Sequence, residues 1–279
     1  MGSRVSTLTL CLVSALIGAV PGIPVAAQVA GSYRFAVGDT ARYHEVSHGE
    51  QELQTPQGSV SMSNEHDATI ALTPSGPGTL LAWYEALAVS FTGPQGTQAP
   101  SAEPLLGKTF RLTASPEGRL QLDSAPAFPE GVAQITDLTH EFDDFLITVP
   151  AERPKVGATW QDTVRSNRSG DPEQVVDQEA VRSYRVRGDT VYAGRPAMVI
   201  EVETTHTMSM SGPVPGQSMT ATNRVTGSDS GMVIFDWDRG AMLYRSKKGD
   251  LTGTLEFKGA QTLTMQQKMT YTSTIERKR

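Results

Sequence analysis

Apolar and polar residues alternate along much of the second half of this 279-residue chain. From 198 to 210, the even positions are Met198, Ile200, Val202, Thr204, His206, Met208 and Met210. The odd positions between them include Glu201, Glu203, Thr205, Thr207 and Ser209. A period of two sends one set of side chains to a buried face and the other to water, as in a β-strand. Residues 262–275 repeat the pattern with many threonines, which favour strands. The alternation therefore predicts a mainly β protein.

Tight turns separate many of the alternating segments. Glycine-containing turns are expected at 116–118, 187–189, 238–240 and 248–250, because glycine adopts positive φ without steric cost. Strand candidates lie at about 32–48, 59–73, 79–91, 107–114, 119–123, 158–166, 175–187, 196–211, 218–228, 231–237, 241–256 and 260–276. Several exceed the usual strand length of about five or six residues. We therefore expect a long, curved antiparallel sheet or an open barrel.

The segment between Pro129 and Pro150 departs from this pattern. Its apolar residues recur at steps of three and four, which predicts one central helix at about 131–147 that covers an opening or face of the sheet. The helical connection, 129–150, would separate a first β-rich half, 28–128, from a second, 151–279. The halves open on similar segments, Val37-Gly38-Asp39-Thr40 and Val156-Gly157-Ala158-Thr159-Trp160. The sequence leaves open whether they are repeats, and we expect one continuous domain.

The first 27 residues have the layout of a secretory signal peptide. Arg4 precedes an apolar run at 8–20, and small residues lead to an expected cleavage point after Ala27. The run is too short to span a hydrocarbon core of roughly 30 Å. Cys11, the single cysteine, lies inside the run rather than after it, which argues against a lipid-modified cysteine. The sequence thus predicts an extracytoplasmic protein, periplasmic or secreted.

Composition narrows the expected partners of the mature chain. Without Cys11 it would form no disulfide and no thiolate metal site. The formal net charge of −6 and the absence of a basic cluster before the last residues argue against nucleic acid. No second apolar stretch approaches membrane length, so no membrane span is expected after cleavage.

Motifs that would identify an enzyme are missing from the sequence. It contains no nucleophile elbow, phosphate-binding loop, H-E-x-x-H or C-x-x-C pattern. His44 and His48 share a strand face but lie roughly 13 Å apart, too far for one metal. His66 and His206 are read as polar strand residues. We therefore expect no catalytic residue, no metal site and no cofactor.

Two pairs of carboxylates are candidates for an acid–base site. Asp143 and Asp144, as neighbours on a helix, would point about 100° apart. Asp236 and Asp238 would flank Trp237 on one strand face, an arrangement that a hydrolase or a calcium site could use. A polar face that ends in a turn is the simpler interpretation of this second pair.

Methionine is concentrated at the C-terminal end of the chain. Eight of the ten methionines follow residue 197: Met198, Met208, Met210, Met219, Met232, Met242, Met265 and Met269. Methionine is flexible and polarizable, and it is frequent on surfaces that accept varied apolar partners. An apolar ligand-binding face is therefore predicted from Met198, Met208, Met210, Met265, Met269 and Tyr271. The alternative is that these methionines fill an irregular core against the helix.

The chain also resembles known proteins. The signal peptide, the Val-Gly entry strands at Val37 and Val156, and the long threonine-rich hairpins resemble secreted bacterial β-rich proteins classed only as domains of unknown function. That resemblance covers most of the mature chain and supplies no catalytic residue. More distantly, a curved sheet capped by a helix is similar to the periplasmic lipoprotein carriers of the LolA/LolB type. This likeness is architectural, and a fold does not define a function.

Three functional hypotheses follow from the sequence. The first is a non-enzymatic extracytoplasmic β protein that binds an apolar small molecule, a lipid or an envelope component. The second is a structural or protein-interaction module that pairs with an envelope protein through exposed sheet edges. The third, more remote, is an envelope hydrolase that uses Asp236 or Asp238.

Overall fold

A computed structural model describes residues 33–35, 38–115, 117–133, 135–136, 138–167, 175–214 and 218–278. The predicted signal peptide, with Arg4 and Cys11, lies outside the described residues. In the part of the chain that the structure describes, no helix has the length and apolarity to cross a membrane.

Twelve strands of the described residues form one antiparallel sheet that is not closed. They are β1 Ala41–Thr55, β2 Gly58–Gly76, β3 Thr79–Gly93, β4 Gly96–Gln98, β5 Phe110–Ala114, β6 Leu120–Ser124, β7 Thr159–Ser166, β8 Val175–Tyr192, β9 Arg195–Pro213, β10 Thr220–Asp236, β11 Ala241–Lys258 and β12 Thr262–Arg277. The order across the sheet is β6-β5-β3-β2-β1-β12-β11-β10-β9-β8-β7, and β4 pairs with β3. The predicted fold class, a long antiparallel sheet, is confirmed.

The two sequence halves meet where β1 pairs with β12. Their register runs from Tyr43 opposite Arg277 to Gln54 opposite Gln266. Each half contributes a run of strands on its own side of this seam, so the sheet is continuous from β6 to β7.

Two of the predicted turns lie inside strands. Residues 187–189 belong to β8, where the register shifts between Val186 and Gly188. Residues 248–250 belong to β11, where Gly249 leaves space for the ring of Tyr271. Glycine signals a bulge or a close approach in a strand as well as a turn, which explains both errors.

The predicted helix at 131–147 is wrong as a continuous element. The described part of 129–150 contains one α-helical turn, α1, at Glu130–Ala133 and one 3₁₀ turn at Leu138–His140, and a further 3₁₀ turn, Glu103–Leu105, lies outside this stretch. Residues 145–149 are consecutively buried, which a helix with one apolar stripe does not produce. Side chains of the sheet also donate to backbone carbonyls of this stretch, which in a helix would accept from the backbone. Arg182 and Arg245 donate to the carbonyls of Asp143 and Asp144, and the Trp160 indole donates to the carbonyl of Thr148 at 3.0 Å.

Residues 138–149, hereafter the covering segment, reveal the curvature of the sheet. Phe142 packs on Phe110 of β5, with ring centroids 5.2 Å apart, and Phe145 packs on Tyr43 of β1 at 5.4 Å. Asp144 pairs with Arg182 of β8 at 3.0 Å. These strands span most of the sheet, so the sheet must curl around the segment. We call the concave side the inner face.

The covering segment fills one end of this concavity. Its apolar side chains join residues of β1, β2, β3, β5, β8, β9, β10 and β11 in one buried core. The largest fully buried members of that core are Tyr33, Tyr43, Tyr84, Tyr184, Phe110, Phe142, Phe145 and Phe235. Because β1, β2, β3 and β8–β12 are 15 to 19 residues long, about 50–60 Å, the same strands continue well beyond the segment.

Candidate ligand-binding groove

Beyond the covering segment, the inner face is apolar, and most of its side chains are half-buried. The strand register places one set of side chains on this side of the sheet. The apolar members of the set, hereafter the distal inner face, are Leu53, Val60, Met62, Phe91, Val176, Met208, Met210, Ala221, Val225, Leu251, Leu255, Phe257, Leu263, Met265 and Met269. Most are half-buried, Val225 is buried and Leu263 is 40% exposed.

Charge is segregated between the two sides of this region. The polar residues interspersed among these apolar side chains are amides, small residues and His206. On this side of β10 the first acidic residue towards the covering segment is Asp229, whose Oδ2 lies 2.6 Å from Nε2 of His206. The opposite side of the same strands carries Glu50, Glu52, Asp177, Glu179, Arg224, Glu256, Lys258 and Lys268. Amides satisfy one another across the apolar surface, since Gln51 donates to Gln267 at 2.8 Å and Gln267 donates to Asn223.

A groove of about 290 Å³ lies where the distal inner face meets the residues that precede the covering segment. Its lining includes Met62, Phe91, Ile135, Leu251, Met269 and Tyr271, and Glu50 is the one charged residue of its described lining. Strands β3 and β11 lie on opposite sides of β2, β1 and β12, so the curvature of the sheet brings Phe91 and Leu251 to one groove. An apolar concavity with a few polar groups is the usual form of a small-molecule site.

The predicted ligand-binding residues fall into three groups. Met269 and Tyr271 line the groove. Met208, Met210 and Met265 lie half-buried on the distal inner face. The side chain of Met198, at 2% exposure, lies in the closed core and takes no part in the groove, as the core interpretation of the methionines predicts.

Sequence reasoning missed four of the apolar groove residues. Met62, Phe91 and Leu251 lie in recognised strand candidates, but nothing local shows that three distant strands share a concavity. Ile135 belongs to the apolar pattern that predicts a helix at about 131–147, which is wrong as a continuous element. The missing information is the β1–β12 pairing, which joins positions more than two hundred residues apart.

Tyr271 connects the groove to a polar cluster on β9 and β10. The Tyr271 hydroxyl donates to Oδ2 of Asp229 at 2.5 Å, and the same oxygen is 2.6 Å from Nε2 of His206. Gly249 permits this arrangement, because a Cβ there would lie 2.5 Å from Cε1 of Tyr271. The ring therefore crosses β11 to reach β10.

The protonation of this cluster follows from its hydrogen bonds. Burial raises the pKa of Asp229, but the hydrogen bonds from His206 and Tyr271 outweigh burial and hold that pKa below its usual value. Burial, followed by the negative charge of Asp229, raises the pKa of Tyr271. An ionised Asp229 that accepts from a neutral phenol is the arrangement that results.

A second polar cluster surrounds Asp144 of the covering segment. Its carboxylate lies 2.6 Å from Nζ of Lys247, 3.0 Å from Arg182 and 3.6 Å from Arg245. Burial opposes ionisation, but these three cations together hold the pKa of Asp144 well below its usual range. An adjacent cavity of about 20 Å³, lined by the Asp144 cluster and Asp229, has room for about one water molecule.

Two further acids meet under the covering segment. Burial and the neighbouring Glu45 raise the pKa of Glu141 well above its usual value. Nε2 of His66 lies 3.9 Å from Oε1 of Glu141, and burial lowers the pKa of His66. Among the described residues, Glu45 Oε2, Glu141 Oε1 and His66 Nε2 are buried without a hydrogen-bond partner.

The remaining site candidates from the sequence do not line the groove. Asp236 is buried at the end of β10, where its carboxylate accepts from the backbone of Arg239 at 3.0 Å, whereas Asp238 is exposed in the following turn. His44 lies outside the inner face and pairs with Asp67 at 2.9 Å. Within the described ranges, no group of three or more histidine, cysteine, aspartate or glutamate side chains has an arrangement that could hold a metal.

Comparisons with known proteins do not assign the chain to a family. No family model matches it, and no curated protein matches it. One matching solved structure is the crystal structure of Pseudomonas aeruginosa OccK2 (OpdF), at 5% identity and a TM-score of 0.24, over 88% of this chain and 99% of that chain. A TM-score this low supports neither a shared fold nor a shared activity.

Proposed function

We propose that this chain is a non-enzymatic, extracytoplasmic β protein whose inner face holds the acyl chain of a lipid. The observation that carries the proposal is the uncharged distal inner face, set against a charged opposite side of the same strands. Monomeric soluble proteins rarely leave a large contiguous apolar surface uncovered, and such surfaces commonly mark a binding site.

The chemistry of the groove suits an acyl chain. Each methylene transferred from water to an apolar site contributes about 0.8 kcal/mol. Met62 and Met269 lie on opposite sides of Gln51 in the sheet, and unbranched thioethers adapt to a flexible occupant. A lipid also fits the chain's charge pattern, because burying an ionised group in this face would leave it without a counter-charge.

Export and the likeness to carriers support the same proposal from the sequence. Residues 1–27 have the layout of a signal peptide, which would bring the mature chain into contact with envelope lipids. The architectural likeness to periplasmic lipoprotein carriers is to a curved sheet capped by a helix, and in this chain an irregular segment stands where the helix was expected.

A pair of matched variants tests this proposal. Leu251→Glu places a carboxylate in the groove, and Thr252→Glu places one on the exposed opposite side of the same strand. We expect Leu251→Glu to weaken binding of a fluorescent fatty alcohol at least about tenfold, whereas Thr252→Glu leaves it unchanged, because a buried charge without a partner is strongly disfavoured. Circular dichroism would confirm that both variants are folded.

Two results would count against lipid binding in the groove. A purified 28–279 protein that carries no lipid in native mass spectrometry, and binds no fatty alcohol in titration, contradicts the proposal. Equal loss of binding in Leu251→Glu and Thr252→Glu would place the ligand elsewhere.

A second function is favoured by the edge of the sheet. Strand β7 is eight residues long and pairs with β8 on one side; its other side has no partner strand in the described structure. An exposed edge can accept a strand from a partner protein through main-chain hydrogen bonds. A mature protein that remains monomeric at all concentrations and captures no envelope protein through β7 would argue against this function.

A further inference from the structure

The ring of Tyr271 occupies a position that four other residues define. Gly249 leaves the space beneath the ring, and Asp229 and His206 hold its hydroxyl, at 2.5 Å and 3.3 Å. On the side of Lys247, the ammonium nitrogen lies 5.6 Å from the ring centroid. A ring with a hydrogen-bonded hydroxyl and a glycine seat is a rigid part of the surface.

Different environments lie on the two sides of this ring. One side lines the apolar groove, with Met269 and Leu251. The hydroxyl of the same ring donates to Asp229, and Asp229 lines a small cavity together with Lys247 and Asp144. An acyl chain that passed the ring would enter a region of ion pairs, where apolar atoms would displace the polar contacts of buried charges.

We infer that Tyr271 forms the end wall of the groove and so sets the length of the chain that the protein accepts. This inference rests on the proposed lipid-binding function and adds a residue that determines specificity. Ile135 closes the groove from the side of the covering segment, but it comes from an irregular stretch, whereas Tyr271 is fixed by the sheet itself.

The wall predicts a particular dependence of affinity on chain length. Straight-chain alcohols from octanol to octadecanol are suitable probes, because they differ only in their number of methylenes. For the natural chain, affinity should rise about fourfold per methylene until the groove is full, and should then level off. The length at which it levels off is the quantity to compare among variants.

Three substitutions at Tyr271 separate the wall from other roles. In Tyr271→Leu the shorter side chain should move the limit to longer alcohols, with a gain of about sixteenfold for an alcohol two methylenes beyond the original limit. In Tyr271→Trp the larger ring should move the limit to shorter alcohols. Tyr271→Phe keeps the ring and should keep the limit, so it shows whether the hydroxyl itself contacts the ligand.

Tyr244→Leu is the matched control. Tyr244 lies half-buried on β11 in a separate small cluster with Ala197, Ile234 and Leu243. Its replacement should leave the length limit unchanged even if stability falls. If Tyr271→Leu does not fold, Tyr271→Trp tests the same wall in the opposite direction.

The outcomes distinguish the wall from the proposed function. If Tyr271→Leu and Tyr271→Trp fold, bind the alcohols and keep the length limit of the natural protein, Tyr271 is not the end wall. The lipid-binding proposal is then left intact. A natural protein that binds none of the alcohols overturns the lipid-binding proposal itself. A limit that moves in the predicted direction with side-chain size supports both.

Discussion

At the scale of single residues, two carboxyl groups with different neighbours connect the covering segment to the sheet. Asp144 is surrounded by three cations, so it remains ionised and acts as the charged centre of the segment. Glu141, three residues earlier, lies against Glu45 instead, and its burial and that neighbour favour the protonated form. The same inner face therefore stabilises one acid as a carboxylate and the other as a neutral acid.

The pKa of Glu141 leads to a dependence of stability on pH. Because its folded pKa is raised above the unfolded value of about 4.3, the folded protein retains a proton that the unfolded chain loses. Its contribution to stability is fully present below about pH 4.3 and is lost as the pH rises towards the folded pKa. Glu141→Gln should abolish this loss, changing the slope by up to about 1.4 kcal/mol per pH unit in denaturant titrations across that window.

An exposed acid provides the control for this measurement. Glu152 lies on the surface beyond the covering segment, and Glu152→Gln removes the same formal charge. The same pH slope in Glu141→Gln as in the natural protein would show that Glu141 does not retain its proton.

At the scale of elements, the sequence predicted strands far better than it predicted the covering segment. Candidates 196–211 and 260–276 correspond closely to β9 and β12, because an alternating pattern has one simple interpretation when one face is buried. Apolar residues spaced by three and four positions between 129 and 150 have two interpretations. The spacing is compatible with a helix that buries one stripe of side chains, and also with an irregular segment that a curved sheet encloses on several sides. The choice between them depends on the curvature of the sheet, which the sequence does not reveal.

The covering segment should be the main support of the closed end. Phe145 is fully buried between Tyr43 and Phe142, so Phe145→Ala leaves a cavity and should lower the free energy of unfolding by about 3–5 kcal/mol. Ile135→Ala, in the groove lining, should lower it much less and should weaken lipid binding instead. Chemical denaturation and ligand titration of both variants measure this division, and a similar stability loss in both would contradict it.

At the scale of the whole molecule, one long sheet performs two tasks. Its covered end encloses a core that includes Tyr43, Tyr84 and Phe110, which supplies stability without a disulfide in the described chain. Its other end carries an apolar surface. The sequence predicted two of the groove residues, Met269 and Tyr271, because both lie in one alternating strand. It could not predict the contribution of Met62 or Phe91, which depends on long-range pairing through β1 and β12 and on the curvature of the sheet.

Photo-crosslinking tests most directly whether the distal inner face holds an acyl chain. A fatty alcohol with a diazirine at its terminal carbon would be bound to the natural protein, irradiated and mapped by peptide mass spectrometry. We predict labels on groove residues, above all Met62, Leu251, Met269 and Tyr271, which an excess of unlabelled alcohol removes. Labels confined to the charged side, at residues such as Glu52 and Lys268, or labelling that excess alcohol does not displace, would contradict acyl-chain binding in the groove.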